Sequence, residues 1–430
     1  MKIARKSRIV FFLFLVACAL QATGSAQQVH IDVEAPGFAR LKVAMPPFAG
    51  DPATAQSLWK VCARDLAITG LFDVIDPASY VNPAPAPRIA LQSLKDYALI
   101  GADYAVAAMV TIQDGAVRVR FHMVEVSTAT VVDDTLYTAS AGEPHRAVHA
   151  FMNRLLKEKF GLEPLFASRI ACIRKTDKVK QLHLMWCDGT GQVTVKGGGG
   201  LVLNPAWSPD GRSIALVSYY RNNPDLFLFD RASYRLRLVS GERGINTSPA
   251  FHPSGASLGV TLSVDGNPEI YLLDLATRAR TRLTNSWATD TSPSFSPDGS
   301  MMAFCSSRAG NPNIFIMNLA TRDARRLSFE GKYNTEPSFS PKGDLVAFSH
   351  LGSDGRYRIA LVKPDGSGFR VLKGSGRGDE SPSFSPDGRL IAFASADGNI
   401  YVTDLSGSIA IPLTSGGGYS EPSWSPILKE

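Results

Sequence analysis

Phe295-Ser-Pro-Asp-Gly299 is the stretch on which the reading of the fold turns. The same phrase stands at Trp207-Ser-Pro-Asp-Gly211, Phe251-His-Pro-Ser-Gly255, Phe339-Ser-Pro-Lys-Gly343 and Phe384-Ser-Pro-Asp-Gly388, and its first half returns at Trp424-Ser-Pro426. The aromatic residues are spaced by 44, 44, 44, 45 and 40 residues. A fixed period of about 40–45 residues marks one four-stranded unit repeated around an axis, a β-propeller blade. Within the phrase, proline presets φ, aspartate bonds its own backbone and glycine closes the turn without a Cβ clash. Each phrase is therefore a turn between the first and second strands of a blade. Second strands are predicted at Ile214 to Ser218, Met301 to Ser306, Val346 to Ser349 and Ile391 to Ser395. Third strands follow at Leu226 to Asp230, Ile270 to Leu275, Ile314 to Leu319 and Ile400 to Leu405, and fourth strands at Arg282 to Thr284 and Arg325 to Ser328.

The ends of the repeat decide the blade count. Residues 168–198 hold a second strand (Arg169 to Arg174), a third (Leu182 to Cys187) and a fourth, with no phrase before them. Glu421-Pro-Ser-Trp-Ser-Pro426 is a phrase with no unit after it. The two fragments complete each other, so residues 168–430 predict six blades, closed by the C-terminal strand joining blade one. Such closure removes open sheet edges.

Upstream, residues 41–163 read as a small α/β domain. Strands are expected over Leu41 to Phe48, Phe72 to Ile75, Tyr104 to Thr111, Ala116 to Val126 and Val131 to Thr138. Helices are expected over Ala53 to Thr69, Ala90 to Leu99 and Pro144 to Phe160, the first and last stopped by Gly70 and Gly161. The fold class is thus a small N-terminal α/β domain followed by an all-β six-bladed β-propeller.

Ahead of that domain, Lys2, Arg5, Lys6 and Arg8 precede the apolar run Ile9 to Leu20, and small residues follow at Gly24-Ser-Ala26. This pattern describes a secretory signal peptide over residues 1–26, too short to anchor in a bilayer. Leu15-Val-Ala-Cys18 offers a second reading, a lipobox that would acylate Cys18. The formal net charge is +6; residues 1–26 carry four basic and no acidic groups, which leaves +2 after removal. That small charge excludes a nucleic-acid binder. Cys62, Cys172, Cys187 and Cys305 remain; an exported protein permits disulfides. Cys172 and Cys187 lie on consecutive strands of one hairpin and are candidates to face each other, and buried free thiols are the alternative for all four.

Several apparent catalytic motifs dissolve on their context. Gly255-Ala-Ser257-Leu-Gly259 fits G-x-S-x-G but occupies a blade turn, not a strand-to-helix elbow. His145 and His149 stand one helical turn apart near Glu143, but zinc needs a third ligand and a supporting shell. They read as polar positions on an exposed helix face. Gly197 to Gly200 lacks the following Lys and helix of a phosphate loop, and no calcium-loop spacing occurs. No metal and no cofactor is expected.

What remains is geometric. The residues just before each first strand should converge at one mouth of the central channel. Asn204, Asn246, Thr247, Asp290, Thr291, Asn334, Glu336, Asp379, Glu380 and Glu421 form that polar, partly acidic ring. A rival reading places lactonase-like or lyase-like chemistry in the channel. That needs a metal or a histidine-rich acid/base set, and none of the seven histidines falls in this ring.

Leu41-Lys-Val-Ala-Met-Pro-Pro-Phe48, Asp65-Leu-Ala-Ile-Thr-Gly-Leu-Phe72, Gly101-Ala-Asp-Tyr104, the helix before Phe160-Gly161, the six repeats and the terminal Glu421-Pro-Ser-Trp-Ser-Pro426 together resemble the TolB family of the Tol-Pal envelope system. The resemblance covers essentially the whole chain after residue 26. It implies a periplasmic, monomeric, non-enzymatic scaffold that supports outer-membrane integrity and constriction during cell division. It further implies that the lipoprotein Pal binds at the propeller mouth, and that an N-terminal segment, here 27–40 with Val29, Ile31 and Val33, reaches the inner-membrane protein TolA. Other outer-membrane proteins are further partners it implies. Thr291 matches the family's threonine before Ser-Pro, whereas Ile245 stands where relatives carry a histidine. The alternation of Val29, Ile31 and Val33 with polar residues suits strand addition to a partner sheet.

Overall fold

A computed structural model of the chain describes residues 39–81, 84–176, 179–195 and 200–429. The expected leader, Cys18, the segment with Val29, Ile31 and Val33, and Gly197 to Gly199 lie outside the described residues.

The N-terminal domain is built on a seven-stranded sheet. Leu41–Ala44 runs parallel to Phe72–Val74 on one side and to Tyr104–Gln113 on the other. Tyr104–Gln113 then pairs antiparallel with Ala116–Glu125. Beyond it, the single strand expected over 131–138 is two, Thr130–Asp133 and Leu136–Ser140. The break falls at Asp134, whose carboxylate is pulled outward by Arg88 and Arg120, and at Thr135, whose N–H donates back to Asp133 Oδ1.

Helix α1 (Pro52–Ile68) starts with Asp51 accepting from the Thr54 N–H at 3.0 Å and proline in the first turn. Helix α2 (Leu94–Leu99) is shorter than expected, because a 3₁₀ turn, Leu91–Ser93, takes its first residues. Helix α3 (His145–Phe160) ends on Gly161 in the left-handed conformation, with Lys157 and Lys159 in the last turn. α1 and α3 cover the sheet face that carries Phe121, stacked on Phe151 at 4.2 Å; α2 packs on the opposite face against Ala105 and Ala107.

Six four-stranded antiparallel sheets make the propeller. Blade one is assembled from both ends of the domain: Arg169–Lys175, Lys180–Trp186 and Val193–Thr194 are joined by Tyr419–Trp424, which pairs with Arg169–Lys175. The repeated phrase forms the same turn each time. In blade two the Gly211 N–H donates to the Ser208 carbonyl at 2.9 Å, Asp210 accepts from the Ser208 hydroxyl and the Arg212 N–H, and Gly211 has φ +68°. Gly255 makes the same turn, and Ser257 opens the strand Ser257–Leu262, so the G-x-S-x-G match is no nucleophile elbow. Nine residues past each aromatic, the second strand buries Leu216, Val260, Phe304, Phe348 and Phe393 at 0–2% exposure, the interlocking layer between blades.

The two domains share one continuous apolar core. α1 contributes Leu58, Cys62 and Leu66, α3 contributes Phe151 and Leu155, and the propeller contributes Cys172, Cys187, Leu390, Ile400 and Trp424. This seam corrects the reading of α3. His145 and His149 are not on an exposed face; they are 8% and 3% exposed, because that face packs on Trp186 of blade one. Nor do Cys172 and Cys187 face each other. Cys172 is registered with His183, four residues before Cys187 in the chain, and all four thiols are free and buried.

Candidate binding site at the channel mouth

Five of the six first strands are six residues long and that of blade five, Tyr333–Phe339, has one more paired residue at its start; every one is interrupted in the same place. The first two and last two residues pair with the second strand; the ladder slips between them, as at Thr291/Ser294 and Thr335/Ser338. The two unpaired residues of each bulge are X-Pro, and the X residue adopts φ of 50–55°: Asn204, Ser248, Ser292, Glu336, Ser381 and Glu421. Proline fits the next position because it has no N–H to leave unpaired. A β-bulge bends the strand and re-aims its side chains. Here the six bulges aim at one axis, and the six X-Pro pairs line the central channel.

This places the expected ring residues in three groups. Asn204, Glu336 and Glu421 are at the channel. Thr247 and Thr291 lie half-buried one residue before it, and Glu380 is exposed at its rim. Asn246, Asp290, Asn334 and Asp379 are corrected: they are 0–1% exposed and bonded inside the protein. Asn246 is held by Ser240 and the Glu242 and Gly244 carbonyls, Asp290 pairs with Arg308 at 2.5 Å, Asn334 donates to Asn313 and the Glu330 carbonyl, and Asp379 accepts from Ser375. Burial raises the Asp290 and Asp379 carboxyls above the usual range. Ser248, Ser292 and Ser381 were missed. The signal that finds them is the residue directly before the proline, two residues upstream of the residue that precedes the aromatic.

Neighbouring blades are stitched across the ring. Glu421 of blade one accepts the Asn204 N–H of blade two at 2.5 Å, and Asn204 Oδ1 accepts the Thr247 hydroxyl of blade three at 2.8 Å. Glu336 of blade five accepts the Ser381 N–H of blade six at 3.0 Å and the Ser381 hydroxyl at 3.1 Å. The acids are grouped: Glu336, Glu380 and Glu421 occupy blades five, six and one, while blades two to four present amide and hydroxyl groups. Burial raises the Glu421 carboxyl, with Glu336 adding to the effect, and burial followed by Glu336 raises that of Glu380. One half of the mouth thus favours a cationic or hydrogen-bond-donating partner. Ile245, three residues before Ser248 in the chain, is 39% exposed. None of the ring side chains is a histidine or cysteine, and the one three-ligand metal-type cluster among the described residues lies elsewhere.

Residues 158–428 match the family described as the TolB beta propeller domain, and residues 29–132 match the TolB amino-terminal domain. Among curated relatives, the Tol-Pal system protein TolB of Syntrophotalea carbinolica is 34% identical over 210 residues, 47% of this chain and 49% of the relative. That of Anaeromyxobacter dehalogenans is 31% identical over 239 residues, 54% of this chain and 55% of the relative. The matched segments span about half the length of these relatives. The crystal structure of TolB from Acinetobacter baumannii is 28% identical, with a TM-score of 0.77 over 90% of this chain and 97% of that one.

Proposed function

The chain belongs to the TolB family, and from that premise we propose that it is a non-enzymatic scaffold of the Tol-Pal system. It works in the periplasm after export, binds the lipoprotein Pal at the channel mouth, and reaches TolA with residues 27–40. In that role it supports outer-membrane integrity and constriction during cell division. The observation that carries the reading is the ring of six bulged X-Pro pairs. It is concave, polar and built from every blade, as suits a binding platform. Its acidic half suits a partner loop or chain end rich in N–H donors or positive charge. A channel enzyme would need an acid/base pair or metal ligands on that ring, and of the three glutamates there Glu336 and Glu421 are already bonded to backbone and hydroxyl groups of the next blade, while Glu380 lies at the rim.

Residues 27–40 and the ring act as two sites with a coupling free energy, so occupancy of the mouth biases the segment's availability to TolA. The test uses purified Pal from the same organism. Thr291→Arg places bulk and like charge at the mouth without touching the buried set. It should weaken Pal binding at least about tenfold in calorimetry, with an unchanged melting temperature; each tenfold is about 1.4 kcal/mol. Undiminished affinity in this variant and in Glu380→Lys would remove the mouth as the Pal site.

A further inference from the structure

Where the two domains meet, three side chains from three separate elements point at one spot. Asp65 comes from α1, His149 from α3 and Asp188 from the turn after the third blade-one strand, Lys180–Trp186. They are 0%, 3% and 0% exposed. Their ligand atoms all lie within 4.8 Å of one another. His149 Nε2 is 3.3 Å from Asp188 Oδ2 and 3.7 Å from Asp65 Oδ2.

The hydrogen bonding around this spot is incomplete in a specific way. Both oxygens of Asp65, Oδ2 of Asp188 and both ring nitrogens of His149 make no hydrogen bond; of these nitrogens Nε2 is the one that faces the two carboxylates. The other Asp188 oxygen is fully used: it accepts the Thr190 N–H at 2.9 Å and the Thr190 hydroxyl at 2.7 Å. That pair fixes the carboxylate so that its free oxygen faces His149, the arrangement by which outer groups orient a metal ligand. Separately, Nε2 of His145, on the ring that lies 5.2 Å from His149, also has no partner. Buried polar atoms are normally satisfied, and each exception calls for a cause. Four lone-pair atoms without a hydrogen bond converge in an apolar seam, and a cation among them would satisfy all four.

The spacing sets its size. Two ligand atoms about 2.0–2.2 Å from a tetrahedral ion stand roughly 3.3–3.6 Å apart; the His149–Asp188 separation of 3.3 Å falls in that range, and the His149–Asp65 separation of 3.7 Å is slightly longer. A nitrogen and carboxylate oxygens in a tight, dry, four-atom set suit zinc better than calcium, which takes six to eight oxygens at longer range. We propose that Asp65, His149 and Asp188 form a structural zinc site that ties the N-terminal domain to blade one of the propeller. Two ligands belong to the first domain and one to the second, so the ion is a cross-link between them. Arg64, which donates to the Asp188 carbonyl at 3.1 Å, is a second tie at the same place.

The experiment uses the full chain, stripped with chelator and then given one equivalent of zinc chloride. After gel filtration, elemental analysis should find one zinc per chain, and the melting temperature should rise by several degrees, since a ligand that binds only the folded state stabilises it. Asp65→Asn and His149→Gln should each weaken uptake by about 100-fold or more, beyond the 10–100-fold typical of losing an outer group. Cobalt(II) on the unaltered chain gives an independent readout that does not require the variants to fold: a tetrahedral site yields intense visible absorption bands. Retention of less than a tenth of an equivalent of zinc, or cobalt spectra of an octahedral ion, would overturn the proposal. So would zinc uptake that both variants leave unchanged.

Discussion

The channel mouth and the domain seam are built by opposite strategies. The mouth repeats one device six times, with the same bulge, the same proline and the same φ near 50–55°. The seam uses most of its parts once: Trp186, Phe166, Asp65, Asp188 and the two histidines of α3 have no counterparts around the ring, and only Trp424 is borrowed from the repeat. Repetition spreads a function over many replaceable positions and leaves a period in the sequence. A one-off interface concentrates its stability in few residues and leaves none. Losing one ring side chain should therefore be mild for the fold, whereas losing a seam residue should not.

The largest test removes the piece that serves both regions. Deleting Tyr419 to Glu430 takes the inner strand of blade one, which completes the ring and brings Trp424 into the seam. The loss should exceed the ~4–5 kcal/mol of the worst point substitutions, leaving no cooperative transition in calorimetry. A truncated chain that melts as the intact one does would refute closure by this strand.

A matched pair of tryptophans makes the comparison sharper. Trp207 and Trp424 hold the same place in blades two and one and are 7% and 6% exposed. Trp207 donates to the Ser423 carbonyl and packs within the blades, while Trp424 donates to Ser168 at 2.9 Å and packs into the shared core. Each change to alanine should cost about 3–5 kcal/mol in denaturant unfolding, with Trp424→Ala the costlier. Equal losses would mean that the seam adds nothing to blade packing.

The smallest effect is in acid. Burial pushes His122 in the N-terminal domain, and His183 and His350 in the propeller, below their ordinary value of 6.5. Nδ1 of His122 accepts the Ile89 N–H, so it must be neutral there. These groups hold fewer protons folded than unfolded. Stability is therefore full above pH 6.5 and declines as the pH falls through that value toward the depressed folded ones. Melting temperature should drop between pH 7.5 and pH 5, and His350→Asn should flatten part of that drop. A slope untouched by this variant and by His183→Asn would assign the acid loss elsewhere.

Much of the propeller was legible because its rules are local. The Ser-Pro-Asp-Gly turns follow from φ preferences and side-chain reach, and the unmatched first and last fragments announced the closing strand. The channel was legible to within one or two residues. The reading took the whole approach to each strand as the mouth, but the bulge turns only the X-Pro pair inward and buries Asn246, Asp290, Asn334 and Asp379. The proline of each bulge recurs with the blades, but the period alone does not say that the residue before it adopts a positive φ and turns inward. The seam was illegible. His145 and His149 sit on a helix whose pattern alone permits solvent, and the partners that bury them, Asp65 and Trp186, are distant in sequence. Only three-dimensional packing joins them.

The strands that close blade one carry a consequence for how the molecule comes into being. Ser168 and Trp424, bonded across that blade, are 256 residues apart in the chain. At about 5–20 residues per second of synthesis, roughly 13–50 s separate their appearance. Through that interval five blades can form in turn while the first waits with its inner edge bare. The later-emerging strand is thus the clasp of the ring, and any partner able to lend a strand to that edge has those seconds in which to act.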